Sequence, residues 1–158
     1  MLRKRIIPIL LLDQKRLVKT IKFGKSKYIG DPLNAIKIFN EKFVDELIIL
    51  DISQNKQNSE IDYNFLQDLF SECFVPVTYG GGIKNSKQAE FLIRLGVEKI
   101  SINSSALEDR NIIKELARNF GSQSIVVSVD VKKNLFNKYK LKISEINQVF
   151  NNLLELVN

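Results

Sequence analysis

The feature that most constrains this chain is a rhythm in which strand-length blocks of Leu, Ile and Val alternate with amphipathic segments of helical period. The blocks are Arg5–Leu12, Glu46–Asp51, Val75–Tyr79, Lys99–Asn103 and Ser124–Asp130. The helical patterns run over Pro32–Lys42, Tyr63–Glu72, Ser86–Leu95 and Asp109–Asn119. Blocks that are apolar on both faces belong in a parallel sheet covered by helices. Their starts fall about 25 to 40 residues apart, the length of a βα unit. Asp31-Pro32 supplies an N-cap and a proline at the first helical position, and Gly96 and Gly121 stand where helices should stop.

Two architectures satisfy this rhythm, an open doubly wound sheet and a closed (βα)8 barrel. No glycine-rich loop of the dinucleotide or Walker type follows any block, which weakens the doubly wound alternative. The blocks end instead in polar residues: Asp51, the Gly80-Gly81-Gly82 triplet, Asn103-Ser104 and Asp130. In a barrel, that rim carries the chemistry. The chain has 158 residues, whereas a whole barrel takes about 250. The expectation is an α/β fold, an incomplete (βα)8 TIM-type barrel of about the first five strands over residues 1–131, with its first and fifth strands unpaired at their outer edges. Residues 132–158 break the rhythm and read as a divergent tail. That tail has a strand-like run at Tyr139–Ile143, then an amphipathic helix over 144–157 aligning Ile146, Val149, Phe150, Leu153, Leu154 and Val157. An uncovered apolar face predicts either a homodimer or a tail folded over that face.

Composition narrows the function classes. Hydrophobic residues make up 44% and charged ones 27%, as in globular domains and unlike disordered ones. No apolar run approaches the roughly 20 residues of a membrane span. The basic start, Met-Leu-Arg-Lys-Arg, leads into an apolar stretch that Asp13 cuts short without a small-residue cleavage site, so no signal peptide is expected and the cytoplasm is the expected compartment. There is no His and a single Cys, Cys73, which excludes His-based catalysis, an internal disulfide and most zinc sites. Cys73 reads as a small buried hydrophobe. The +6 charge comes from 24 Lys+Arg against 18 Asp+Glu, scattered rather than gathered into an aromatic-interleaved stripe, so no nucleic-acid partner is expected.

Six motifs stand in order: Arg5-Ile6-Ile7-Pro8; Gly30-Asp31-Pro32; Asp45-Glu46-Leu47 with Leu50-Asp51-Ile52; Gly80-Gly81-Gly82-Ile83; Lys99-Ile100-Ser101-Ile102-Asn103; and Phe120-Gly121-Ser122-Gln123. Together, from Met1 to about Val131, the chain resembles the cyclase subunit of imidazole glycerol phosphate synthase. The segment Val18–Asp51, with Lys19-Thr20-Ile21-Lys22-Phe23, is closer still to paralogues found with surface-polysaccharide genes and associated with amidation of acetamidino sugars. The resemblance implies a barrel that receives ammonia from a glutaminase subunit docked at its bottom and delivers it to a phosphorylated small-molecule substrate at its top. It implies no cofactor and no metal. The alternative is an inactive, truncated half-barrel that only binds phosphate or a partner.

The resemblance also assigns roles. Gly81 and Gly82, with Gly80 before them and Asn103 and Ser104 on the next strand end, match phosphate-contacting positions, and Lys19 matches a charged one on the first loop. A glycine turn lets backbone N–H groups approach an anion, although a tight strand-to-helix turn needs the same glycines. Asp130 matches one of two catalytic aspartates. The other position holds Leu11, which moves no proton, and Asp13 lies two residues on, about 6.6 Å along the strand. Asp51 matches a further carboxylate or serves as a loop anchor. Arg5, Glu46 and Lys99, at the strand starts, match a charged ring gating ammonia entry, with Glu98 near the glutaminase interface; without the resemblance they would be solvated strand ends.

Overall fold

The computed structural model describes residues 4–21, 24–53, 60–133 and 139–141. The strands are β1 (Ile9–Asp13), β2 (Arg16–Thr20), β3 (Ser26–Gly30), β4 (Leu47–Asp51), β5 (Val77–Gly80), β6 (Lys99–Ile102), β7 (Ile125–Val127), β8 (Val131–Lys133) and β9 (Tyr139–Leu141). The α-helices are α1 (Pro32–Glu41), α2 (Tyr63–Ser71), α3 (Ser86–Arg94), α4 (Ser104–Glu108) and α5 (Asn111–Phe120). The main sheet has seven strands in the order β3-β2-β1-β4-β5-β6-β7. From β1 through β7, each parallel strand lies beside its successor. A doubly wound sheet reverses direction at a switch point, whereas a barrel winds one way. The sheet winds one way, as an incomplete α/β barrel does.

Local chemistry starts the helices. Asp31, Asp62 and Asn85 each accept from the backbone N–H three residues on, at 3.0 Å, at the N-caps of α1, α2 and α3. One face of the sheet then packs on the helix layer. Leu10 and Leu12 of β1, Leu47 and Ile49 of β4, Val77 and Tyr79 of β5, and Ile100 and Ile102 of β6 are buried in one cluster with Ile36, Leu66, Leu69, Leu92 and Leu116 of the helices. Each such side chain contributes about 1.5–3 kcal/mol of burial. Side chains alternate along a strand, so Leu11, Ile48, Leu50, Thr78, Ser101 and Val126 occupy the opposite, inner face. That face is partly open: Ile9 is 56% exposed, and Leu11, Ile48 and Leu50 are half-buried.

Two features differ from expectation. The outer edge of β1 is not bare. The antiparallel hairpin β2–β3 pairs with its carboxyl half through Leu11 to Val18, Leu12 to Leu17 and Asp13 to Arg16. The turn Gln14-Lys15 makes this possible by adopting positive φ at both residues, 51° and 64°, the mirror-image turn whose twist suits a two-residue hairpin. In addition, Ser104–Glu108, which follows a strand end, forms the short helix α4. The run at Tyr139–Ile143 forms β9 over Tyr139–Leu141, antiparallel to β8. The expected helix over 144–157 lies outside the described residues.

Candidate functional site

At the carboxyl ends of the parallel strands, Gly81 and Gly82 follow β5, Asn103 and Ser104 follow β6, and Asp130 follows β7. The glycines have packing reasons of their own. A Cβ on Gly80 would stand 2.9 Å from the Leu50 and Ser101 side chains, and one on Gly81 would stand 2.4 Å from the Asp51 carbonyl oxygen. Gly81 and Gly82 also carry φ of 136° and 68°, which favours glycine. The turn brings backbone close to backbone, as an anion cradle does. Asn103 occupies the N-cap position of α4 without capping it. Its Nδ2 instead donates to Asp130 Oδ2 at 3.3 Å, and one strand layer below, the Ser101 and Ser128 hydroxyls bond at 2.5 Å. Three residues assigned from the sequence to this rim, Asn103, Ser104 and Asp130, therefore stand together on adjoining strand ends.

The side chains of Asp51, Leu11, Asp13 and Lys19 take other positions. Asp51 alternates with Leu50 and so shares the helix-facing side with Ile49 and Tyr79. Its Oδ1 accepts from the Ser53 backbone N–H at 2.9 Å and from the Ser53 hydroxyl at 2.5 Å, the loop-anchor geometry. Leu11 sits on the inner face between Leu50 and Val18. Asp13 ends β1, where its Oδ2 accepts from Ser26 Oγ at 2.7 Å. Lys19 is exposed on β2, opposite Lys27 of β3.

At the opposite rim, the structure joins all three residues of the charged cluster. The buried Glu46 carboxylate receives the Arg5 guanidinium on Oε1 and the Lys99 ammonium on Oε2, the latter at 2.5 Å. Glu46 precedes β4 and Lys99 begins β6, so the carboxylate bridges strand starts two positions apart in the sheet. Thr78 of β5, buried, lies between them and pairs with Lys99. Glu98 is exposed beside Lys99. The same rim presents large apolar side chains: Ile6 is 70% exposed, Phe74 83% and Phe43 90%. Asn40 ties two of the loops together, donating to the Glu72 carbonyl at 2.7 Å and accepting from the Phe74 N–H at 3.3 Å. Sequence reasoning missed this apolar rim, because single phenylalanines in loops show no period.

It also missed a latch. Lys15, at the tip of the β1–β2 turn, pairs with Asp62 at 2.5 Å and lies 5.6 Å from the Phe65 ring centroid, fixing the hairpin to the start of α2. Burial, with Glu72 nearby, pushes the Cys73 thiol up to about 11, in keeping with the packing role read from the sequence. Tyr79 is fully buried, and its hydroxyl has no hydrogen-bond partner among the described residues. Burial and the Asp51 charge raise its pKa, so it stays a neutral phenol. Among the described residues no cluster of acidic or thiol groups could hold a metal, and no helix is long and apolar enough to cross a membrane.

Comparison with known proteins agrees with this geometry. The chain is 51% identical over 141 residues to a Pseudomonas aeruginosa protein provisionally named imidazole glycerol phosphate synthase subunit hisF2, covering 89% of this chain and 56% of that protein. It is 54% identical over 136 residues to a Vibrio vulnificus protein provisionally named subunit hisF3, covering 86% and 52%. It is 41% identical over 137 residues to the imidazole glycerol phosphate synthase subunit HisF of Methanococcus vannielii, covering 87% and 50%. The chain thus spans about half the length of the curated relatives it matches. A profile of the family described as histidine biosynthesis protein matches residues 5–155, and the chain belongs to that family.

Proposed function

We propose that this chain forms the amino-terminal part of a cyclase-subunit-type barrel, which accepts ammonia at the amino rim of its strands and uses it on a phosphorylated small molecule at the carboxyl rim. One observation carries the reading. The inner face of a single sheet is charged at its start, through Arg5, Glu46 and Lys99, and carries an amide–carboxylate pair, Asn103 and Asp130, at its end. In this reading the backbone of Gly81 and Gly82, with Asn103 and Ser104, cradles phosphate, and Lys19 lends charge from the hairpin. Asp130 is the acid–base group.

The partner at the amino rim is a glutaminase subunit. Exposed Ile6, Phe43 and Phe74 around a charged centre have the make-up of an interface, apolar anchors about a polar contact. The test mixes this chain with the glutaminase subunit of an imidazole glycerol phosphate synthase and follows complex formation by sedimentation. A complex that Phe74→Glu abolishes is expected. The absence of a complex, or one indifferent to Phe74→Glu, contradicts the docking.

Leu11 favours a second reading of the chemistry. A two-acid cyclisation needs a second carboxylate to work with Asp130, and the position to which the resemblance assigns it holds Leu11, with Asp13 a full pleat further on. Ammonia transfer to an activated carbon, as in sugar amidation, needs only one proton acceptor. The reading therefore expects no imidazole product from the phosphorylated aminoimidazole precursor with ammonium salts.

A further inference from the structure

Between Asp13 and Asp31 the chain carries six basic residues and no acidic one. This is the stretch that forms the β2–β3 hairpin and its flanks, so positive charge that is scattered elsewhere gathers on one projection of the fold. Lys15 is engaged by Asp62 at 2.5 Å. Lys19, Lys25 and Lys27 are exposed and enter no ion pair among the described residues. Lys19 and Lys27 stand directly opposite each other across the two strands, where like charges repel and weaken the pairing. The carboxylates closest in sequence are engaged elsewhere: Asp13 accepts from Ser26, Asp31 caps α1 and Asp62 holds Lys15.

β3 is also the outermost strand of the seven. No described strand pairs with its far edge, which therefore presents a row of N–H and C=O groups to any strand that adds to it. Ser26, Lys27, Tyr28 and Ile29 are all exposed, Tyr28 by 58% and Ile29 by 53%. Alternating donors and acceptors match an extended peptide. A phosphate backbone offers acceptors only, so it can use the lysines but not the C=O groups of the edge. Lysine on an edge strand discourages pairing with a second copy of the same basic edge. It attracts a strand of opposite charge. The charges that guard this edge thus select what adds to it.

We infer that the outer edge of β3 docks an extended acidic segment of a partner protein as a further strand, its carboxylates meeting Lys25 and Lys27 and its apolar side chains meeting Tyr28 and Ile29. The inference depends neither on the phosphate site nor on the reaction. The probe is a capped synthetic peptide of alternating glutamate and valine, titrated against the full chain. Saturable binding is expected, with slowed hydrogen exchange at the β3 amides. N-methylation at every residue keeps the peptide's charge and removes its N–H groups, and should weaken binding at least about tenfold. Lys27→Glu places an opposite charge across from Lys19, so it should raise the urea midpoint of the chain. The same variant should lower affinity for the peptide about fivefold. A stabilised fold that binds less well cannot be explained by unfolding. Absence of saturable binding, equal binding of the methylated peptide, or an affinity that Lys27→Glu leaves unchanged would overturn the inference. So would a urea midpoint that falls in Lys27→Glu, or inorganic polyphosphate that protects the β3 amides as well as the peptide does, which would reduce the edge to a general attractor of anions.

Discussion

At the scale of single residues, Glu46 is the most consequential charge in the described structure. It is buried, and it neutralises two cations of unequal exposure: the Lys99 side chain is 27% exposed and that of Arg5 is 60%. Removing the carboxylate breaks both pairs at once and strands the part-buried Lys99 ammonium. Removing either cation leaves the carboxylate paired with the other, and the more exposed cation contributes less. Urea midpoints should therefore rank the alanine substitutions. Glu46→Ala should cost roughly 1.5–3 kcal/mol, Lys99→Ala somewhat less, and Arg5→Ala under about 1 kcal/mol. An Arg5→Ala cost equal to that of Glu46→Ala would mean that the guanidinium is far less solvated than it stands here.

Two glycines separate strain from crowding. Gly96, at φ 100°, has nothing within 4 Å of an added Cβ, whereas Gly81, at φ 136°, would drive that atom into the Asp51 carbonyl. Gly96→Ala should cost about 1–2 kcal/mol of backbone strain, and Gly81→Ala at least about 1 kcal/mol more, the scale of an overpacked site. Equal losses in chemical denaturation would remove the close approach of β5 to β4 from the account. The sequence could not separate a tight turn from an anion cradle at this triplet, because both need the same missing Cβ.

Among elements, the β2–β3 hairpin separates what was legible in the sequence from what was not. The parallel strands announced themselves, since a strand buried on both faces must be apolar throughout. β2 and β3 lie in a Lys-rich stretch, their turn is Gln-Lys rather than a glycine-bearing pair, and a bulge shifts their register between Leu17 and Val18. Neither alternation nor turn residues signal them. What holds the hairpin is tertiary, the contact of Lys15 with Asp62, and no local pattern encodes it. Asp62 both caps α2 and pairs with Lys15, and these two contacts hold its carboxyl below the usual value of 3.8. A lowered native pKa stabilises the fold fully above the unfolded value, and that share is lost as pH falls through the native one. Asp62→Ala should cost about 1 kcal/mol at neutral pH. Asp62→Asn, which can still cap, should cost less, and both should flatten the stability profile below pH 4. Acid titrations of stability with unchanged slope in both variants would rule the latch out.

For the whole molecule, the inner face matters most. In a complete barrel it would be closed; here the described strands leave Ile9 56% exposed and Leu11, Ile48 and Leu50 half-covered. Water against such a strip is costly, and apolar association relieves it. Sedimentation of the chain should show self-association that grows with concentration and that Ile9→Lys suppresses. A monomer at every concentration would mean that something within the chain covers the strip. One-way winding was legible in the alternation of blocks, and so was the placing of Arg5, Glu46 and Lys99 at strand starts and of Asn103 and Asp130 at strand ends. That these side chains meet one another was not, since contacts across strands leave no periodic mark. The apolar rim depended on loop geometry that no periodic signal carries.

The proposed function stands or falls with an anion site at the carboxyl rim of the parallel strands. Titration of inorganic phosphate into the isotopically labelled chain, read as backbone amide shifts, tests it most directly. Saturable shifts are expected, largest at Gly81, Gly82 and Ser104 and diminished in Asn103→Ala. Shifts confined to the exposed lysines of the hairpin, Lys19 and Lys27, or no saturable response at the glycine turn, would contradict it.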